Sequence, residues 1–168
     1  MSARLLPCAA LVLCLSAGVI SSARAGISCT VSSSGVAFGN YDPLSATAVS
    51  VIASLGFICT GVGNGVGTSG TIKLSTGGSF TNRSMTYGGH SLLYQLYADI
   101  NHTQIFGDGT GNSYEYTFCY AGTLVKSCPG GGNQSGTQYS VPIYGLLPAA
   151  QDVAAGTYTG SITATITF

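Results

Sequence analysis

The last segment of the chain, residues 156–168, alternates between apolar and hydroxyl-bearing side chains with a period of two. Successive side chains of a β-strand point to opposite faces, so this pattern predicts a strand with one buried face. No turn and no further strand follow it in the sequence, so we expect it to pair with an earlier strand or with another molecule. The predicted inward-facing residues are Tyr158, Gly160, Ile162, Ala164, Ile166 and Phe168.

Similar short segments recur along the whole chain and predict an all-β fold. The 168 residues include 25 glycines, 45% hydrophobic residues and only 6% charged residues. Alternating segments separated by glycine-rich turns are typical of a β-sandwich, and we expect about seven to nine strands and no helix. The high apolar content at zero net charge excludes the disordered class. The length is that of one domain.

No cluster in the sequence is suited to catalysis, metal binding or nucleic-acid binding. The G-x-S-x-G motif of serine hydrolases is absent, and His90 and His102 lie far from any cysteine. Asp99 and Asp108 are too weak a signal for a glycosidase pair in a chain with so few carboxylates. Five basic side chains provide no basic patch for a nucleic acid. We therefore predict no enzyme activity, no cofactor and no metal site.

Residues 1–25 have the layout of a secretory signal peptide, with a basic start, an apolar stretch and an A-x-A ending. The apolar stretch, residues 5–20, is shorter than the ~20 residues that span a membrane, and Pro7 interrupts it. We expect cleavage after Ala25, which leaves an exported domain of residues 26–168 without a membrane span. That domain carries three basic and five acidic side chains, a net charge of −2.

The exported domain retains four cysteines, an even number that indicates disulfides in an oxidising compartment. Four cysteines allow three connectivities, of which we favour Cys29–Cys59 and Cys119–Cys128. The first bridge would join the opening strand to the second strand, and the second bridge would close a short local loop. A zinc site is the weaker alternative, because the close C-x₂₋₄-C spacing is missing and no histidine is near.

Several segments, in the right order along the chain, resemble the spore coat protein U domain family. Residues 38–44 (F-G-N-Y-D-P-L) resemble the F-G-x-Y-D-P-L segment of that family, and residues 106–110 (F-G-D-G-T) resemble its W-G-D-G-T turn. Cys29 and Cys59 lie where the paired cysteines of the family fall, whereas Cys119 and Cys128 have no counterpart in that pattern. Further matching segments are residues 72–78, Arg83 with Met85, residues 93–97, residues 143–145, Gln151 and residues 155–158.

The resemblance implies a structural protein that is exported through the periplasm to the cell surface, as part of a fimbrium, or is secreted. Members include spore-coat components and subunits of archaic chaperone–usher pili. The implied fold is an immunoglobulin-like antiparallel β-sandwich that lacks its final strand. The implied partners are a periplasmic chaperone, an outer-membrane usher and other pilus subunits, one of which supplies the missing strand.

The resemblance also assigns a role to the C-terminal strand, as one wall of the groove that accepts a chaperone or subunit strand. The wall residues are Tyr158, Ile162, Ala164, Ile166 and Phe168. After cleavage at Ala25 only three residues precede Cys29, so we expect a tip or terminal subunit that accepts a strand without donating one. Cleavage near Ala17 would instead leave an extension of about 11 residues, close to one strand length. The alternative function is a self-contained secreted or spore-coat sandwich that binds a surface or a carbohydrate.

Overall fold

The computed structural model of the protein describes residues 26–61, 67–121, 133–134 and 136–168. The predicted signal peptide and Cys128 lie outside these ranges. Within them the chain forms nine strands and no helix, and so contains no helix able to cross a membrane. The strands are β1 (Ser28–Ser33), β2 (Val49–Thr60), β3 (Gly67–Leu74), β4 (Arg83–Tyr87), β5 (His90–Tyr97), β6 (Tyr116–Ala121), β7 (Asn133–Gln134), β8 (Tyr139–Leu147) and β9 (Ala164–Thr167).

The strands form two sheets that pack face to face. The first sheet has the order β1-β2-β8-β5-β4, and the second has the order β7-β6-β3-β9. Neighbouring strands are antiparallel, except for the short β6–β7 pair, which is parallel. The prediction of an all-β sandwich is therefore confirmed. Strands β1 and β9 each lie at an edge of their sheet, and they approach each other across the sandwich.

The core follows from the alternation that the sequence shows in β2. Leu55, Phe57 and Cys59 point inward and are almost fully buried, whereas Ile52 on the opposite face is 70% exposed. The ring of Phe57 packs against Phe118 of the second sheet, with 5.1 Å between the ring centroids. Aromatic contacts of this kind contribute about 0.5–1.5 kcal/mol beyond the burial of apolar area.

The disulfide between Cys29 and Cys59 is confirmed. These residues are directly opposite each other in the β1–β2 pair, so the bridge fastens the edge strand of the first sheet to its neighbour. Their separation of 30 residues means that the bridge restricts a long loop in the unfolded chain. Cys119 in β6 is also disulfide-bonded. Its predicted partner, Cys128, is not among the residues that the structure describes.

Pro142 lies in β8, a central strand between β2 and β5. Proline is tolerated there because β5 pairs only with residues 144–146 of β8, so the strand end that holds Pro142 has no β5 neighbour. Residues 104–111 form isolated bridges at Ile105 and Phe106 and then turn back, without a regular strand.

Candidate functional site

An apolar groove runs between the two sheets, below two segments that lie outside the regular strands. We call residues 34–43, which follow β1, the N-terminal arm, and residues 153–163, which lead into β9, the C-terminal arm. A first cavity of about 300 Å³ lies where both arms meet the core. Its apolar floor and walls come from both sheets and both arms, and include Val36, Phe38, Leu55, Leu74, Leu96, Ile143, Ile162 and Ala164.

A second cavity of about 650 Å³ continues the groove toward the β4–β5 hairpin. Val36, Phe38 and Met85 line both cavities, so the two form one continuous depression. Among the described residues no charged side chain lines either cavity. The remaining walls of the second cavity are mostly apolar or backbone, and include Tyr41, Pro43, Leu92, Leu147, Val153 and Tyr158. The groove therefore suits an apolar, elongated ligand.

Both arms leave backbone hydrogen-bonding groups unused. After the Ser34 N–H donates to the Ser54 carbonyl, residues 35–41 form no backbone–backbone hydrogen bond with any described residue. In the C-terminal arm, Thr159 pairs with Thr86 of β4, whereas residues 160–162 form no such bond within the described part of the chain. Unpaired N–H and C=O groups beside an apolar groove are the features that an added strand needs.

The C-terminal strand is shorter than its sequence pattern predicts. Only Ala164–Thr167 forms a regular strand, β9, which pairs with β3. The preceding residues leave the second sheet to bridge β4 through Thr159, so the arm crosses from one sheet to the other. The other edge of β9 faces no described strand. The alternation persists: Ile162, Ala164 and Ile166 are half-buried, and the residues between them are exposed.

Four of the five predicted wall residues contact the core, and three of these line the groove. Ile162 and Ala164 line the first cavity. Tyr158 lines the second cavity, where its ring lies 5.8 Å from Tyr87 and its hydroxyl donates to the Ala154 carbonyl. The fourth, Ile166, packs on the core opposite Ile72 of β3.

Phe168 differs from the other four wall residues. It is 52% exposed and lines neither cavity, because it lies beyond the last residue of β9. The sequence pattern placed it on the inward face, and the structure corrects that placement. Alternation assigns a face only while the strand continues, and here the strand ends at Thr167.

No pattern in the sequence indicates that Arg83 is buried, yet its side chain has no exposed surface. Its guanidinium is surrounded by neutral oxygens instead of carboxylates. Nη1 donates to Gln95 Oε1 at 2.7 Å, and Nη2 donates to the carbonyls of Phe106 at 2.7 Å and Ser75 at 3.0 Å. Nε donates to the Thr76 carbonyl at 3.2 Å. A single side chain thus ties β4 to β5 and to the two turns beside them.

Arg83 interacts electrostatically with Tyr94, one of the residues that line the first cavity. Burial lowers the pKa of Arg83, and burial raises the pKa of Tyr94, whose ring lines the first cavity. Gly77, in the turn after β3, has φ +58°, and a Cβ there would push aside the Cδ1 end of the Ile162 side chain. The turn therefore needs glycine for its backbone conformation.

The candidate catalytic carboxylates have structural roles. Burial raises the pKa of Asp99, but the hydrogen bonds from Gln104 and Thr103 together outweigh this effect, so that the pKa is lowered overall. Hydrogen bonds from Thr110 and Ser113 lower the pKa of Asp108. Each carboxylate thus holds its own turn. No group of three or more potential metal ligands occurs within the described ranges.

The fold is similar to that of a chain in a solved structure from Acinetobacter baumannii. That structure is described as a CsuC–CsuE chaperone–tip adhesion subunit pre-assembly complex from archaic chaperone–usher Csu pili. The TM-score is 0.54 at 18% sequence identity, and the match covers 84% of this chain but only 40% of that chain. At this identity the likeness concerns the fold alone.

The sequence comparisons are of two kinds. No curated protein matches the sequence. The family model described as the Spore Coat Protein U domain matches residues 16–165, which is most of the chain. That range includes both arms of the groove, the disulfide between Cys29 and Cys59, strands β1 to β8 and the first half of β9. The chain belongs to the Spore Coat Protein U domain family.

Proposed function

We propose that this chain is an exported structural subunit of a chaperone–usher type pilus, completed by a strand from another protein. The observation that carries this proposal is the apolar groove between two arms with unused backbone groups. A strand in the groove would extend the second sheet at the free edge of β9. Backbone hydrogen bonds would supply affinity, and alternate side chains in the two cavities would supply specificity.

The family and the fold support the same role. The related Acinetobacter structure holds a chaperone with a pilus tip subunit. We propose corresponding partners for this chain: a periplasmic chaperone that fills the groove first, an outer-membrane usher, and another subunit that fills the groove in the assembled fibre. In this role the chain is a structural protein and not an enzyme.

We further propose a terminal position in the fibre, as a subunit that accepts a strand and does not donate one. This depends on the predicted cleavage after Ala25. Residues 26–28 are then the only ones before Cys29, and they belong to the domain, since β1 begins at Ser28 and Ile27 packs against the core. N-terminal sequencing of the exported protein tests the idea. Ten or more residues before Cys29 in the exported protein would contradict the argument that the chain is too short there to donate a strand.

Expression with and without a chaperone tests the main proposal. The chain expressed alone in a periplasm should aggregate or polymerise, because its groove stays open. Co-expression with a periplasmic chaperone of an archaic chaperone–usher system should yield a soluble one-to-one complex. A stable, monodisperse monomer without any chaperone would contradict the proposal and favour a self-contained sandwich that binds a surface or a carbohydrate.

Two variants of β9 sharpen this test. Ala164→Glu places a charge in the first cavity and should prevent recovery of the chaperone complex, since a buried carboxylate without a partner is strongly unfavourable. Thr165→Glu changes the next residue, which is exposed on the opposite face, and should leave the complex intact. Equal recovery of the two variants would show that the cavity is not where the partner binds.

A further inference from the structure

Three tyrosines among the described residues line the groove: Tyr94 in the first cavity, and Tyr41 and Tyr158 in the second. The Tyr41 hydroxyl accepts from the Gln151 N–H at 2.8 Å. The Tyr158 hydroxyl donates to the Ala154 carbonyl at 3.0 Å. The Tyr94 hydroxyl, in contrast, forms no hydrogen bond with any described residue. Of these three tyrosines, Tyr94 alone therefore has a hydroxyl left for a partner.

This hydroxyl belongs to a buried residue, yet it borders the groove. Tyr94 is only 6% exposed. Every fully enclosed polar side-chain atom in the described part of the chain has a hydrogen-bond partner, so the unpaired oxygen of Tyr94 must border open space. The space that Tyr94 lines is the first cavity. A Cβ at Gly77 would lie 3.7 Å from this oxygen and would touch Ile162 Cδ1, which places the oxygen beneath the C-terminal arm.

The surroundings of the Tyr94 hydroxyl are largely apolar. The ring of Phe38 meets the ring of Tyr94 edge-on, with 5.6 Å between the ring centroids. Ser33 and Ser161 also line the first cavity, but both are exposed and can bond to water. A strand with only apolar inward side chains would exclude water from the Tyr94 hydroxyl without replacing the hydrogen bond. A buried hydroxyl without a partner is unfavourable, so the groove discriminates against such a strand.

The charge of Arg83 favours a hydrogen-bond acceptor as the partner of this hydroxyl. The guanidinium is buried, and its hydrogen bonds within the described chain all go to neutral oxygens. No described carboxylate neutralises it, and its charge interacts with Tyr94. A cation repels an incoming ammonium group and attracts the oxygen of a polar side chain. The Tyr94 hydroxyl is therefore suited to donate its proton to an oxygen.

We propose that Tyr94 determines the specificity of the groove by donating a hydrogen bond from its hydroxyl to a side-chain oxygen of the incoming strand. This inference rests on the proposed function and adds the chemistry of the strand. Its inward side chains are apolar, except for one serine, threonine, asparagine or glutamine where the strand crosses the first cavity. A side chain supplies the oxygen because alternate side chains of a strand point into the groove, whereas the backbone groups pair with the arms.

Synthetic strands test the proposal on the full chain. A reference peptide of about ten residues alternates valine with lysine, so that no side-chain oxygen enters the groove in either register. Each valine is replaced in turn by threonine, which has the same shape, and in a second series by asparagine, which reaches further. The chain is refolded with each fluorescent peptide, and affinity is measured by anisotropy. The quantity compared is the affinity of each substituted peptide relative to that of the reference peptide.

Variants of the chain locate the effect. At one peptide position this relative affinity should be about two- to tenfold higher for the unchanged chain than for Tyr94→Phe, as expected for one neutral hydrogen bond. Tyr97→Phe is the matched control, because Tyr97 lies on the same strand, packs against His102 and lines neither cavity. It should behave as the unchanged chain does. Relative affinities that are the same with and without the Tyr94 hydroxyl at every position would overturn this inference while leaving strand insertion intact. Failure of every peptide to bind, the reference included, would overturn strand insertion, and this inference with it.

Discussion

Replacing Arg83 by methionine should destabilise the fold by about 2–4 kcal/mol, although no carboxylate pairs with this arginine. Methionine has a similar length and fills much of the same space, so the change mainly removes the guanidinium. The acceptors that lose a donor are not equivalent. The Ser75 and Thr76 carbonyls belong to exposed residues and can turn to water. Gln95 Oε1 keeps its bond from the Leu96 N–H.

The Phe106 carbonyl is the acceptor whose loss of a donor contributes most to the destabilisation. Phe106 is fully buried, and Arg83 Nη2 is the only donor to its carbonyl among the described residues. A buried carbonyl left without a donor costs about 1–3 kcal/mol. The loss of the hydrogen bonds that the charged guanidinium donates adds to this destabilisation. Burying the cation also has a free-energy cost, and its removal offsets part of the destabilisation. The net loss is a large share of the ~5–15 kcal/mol that typically stabilises a domain.

Urea unfolding of the full chain, followed by tyrosine fluorescence because the chain has no tryptophan, measures the loss. Lys73→Met is the matched control, since it removes a cation of similar size whose side chain is 38% exposed and whose ion pair lies at the surface. Such pairs contribute up to ~1 kcal/mol. If Arg83→Met lowers the free energy of unfolding no more than Lys73→Met, the buried network does not stabilise the fold as argued.

Three further predictions concern other parts of the molecule. Ile166→Asp should abolish recovery of folded protein from the periplasm, because it buries a carboxylate opposite Ile72, whereas Thr167→Asp on the exposed face should be recovered normally. Replacing Cys29 and Cys59 together by serine should lower the free energy of unfolding by about 3–4 kcal/mol, measured in urea, for a bridge across 30 residues. Thermal stability should fall as the pH rises above about 10, because burial raises the pKa of Tyr94, Tyr97 and Tyr120 above the ordinary value for tyrosine. The unfolded chain then releases protons that the folded chain retains, so a melting temperature that is constant from pH 9 to pH 11.5 would contradict this reasoning.

The sequence alone determined the properties that depend on short-range alternation. The inward face of β2, the face of β9 that carries Ile162, Ala164 and Ile166, and the all-β class follow from side-chain periodicity, because successive residues of a strand must face opposite ways. The bridge from Cys29 to Cys59 agrees with the resemblance, which places both residues at the paired cysteines of the family. The resemblance to the family in residues 38–44 identifies a segment of the N-terminal arm, but it does not show that this arm lines the groove.

Only the tertiary structure decided where the groove lies and what surrounds it. Periodicity gives no information on which strands become neighbours, so the edge position of β9 and the central position of β8 could not be read in advance. The burial of Arg83 depends on oxygens from three separate turns and strands. The hydrogen bond from the Gln151 N–H to the Tyr41 hydroxyl joins residues that are 110 positions apart. Contacts over such distances form only when the whole chain folds, and the local pattern that defines each strand does not encode them.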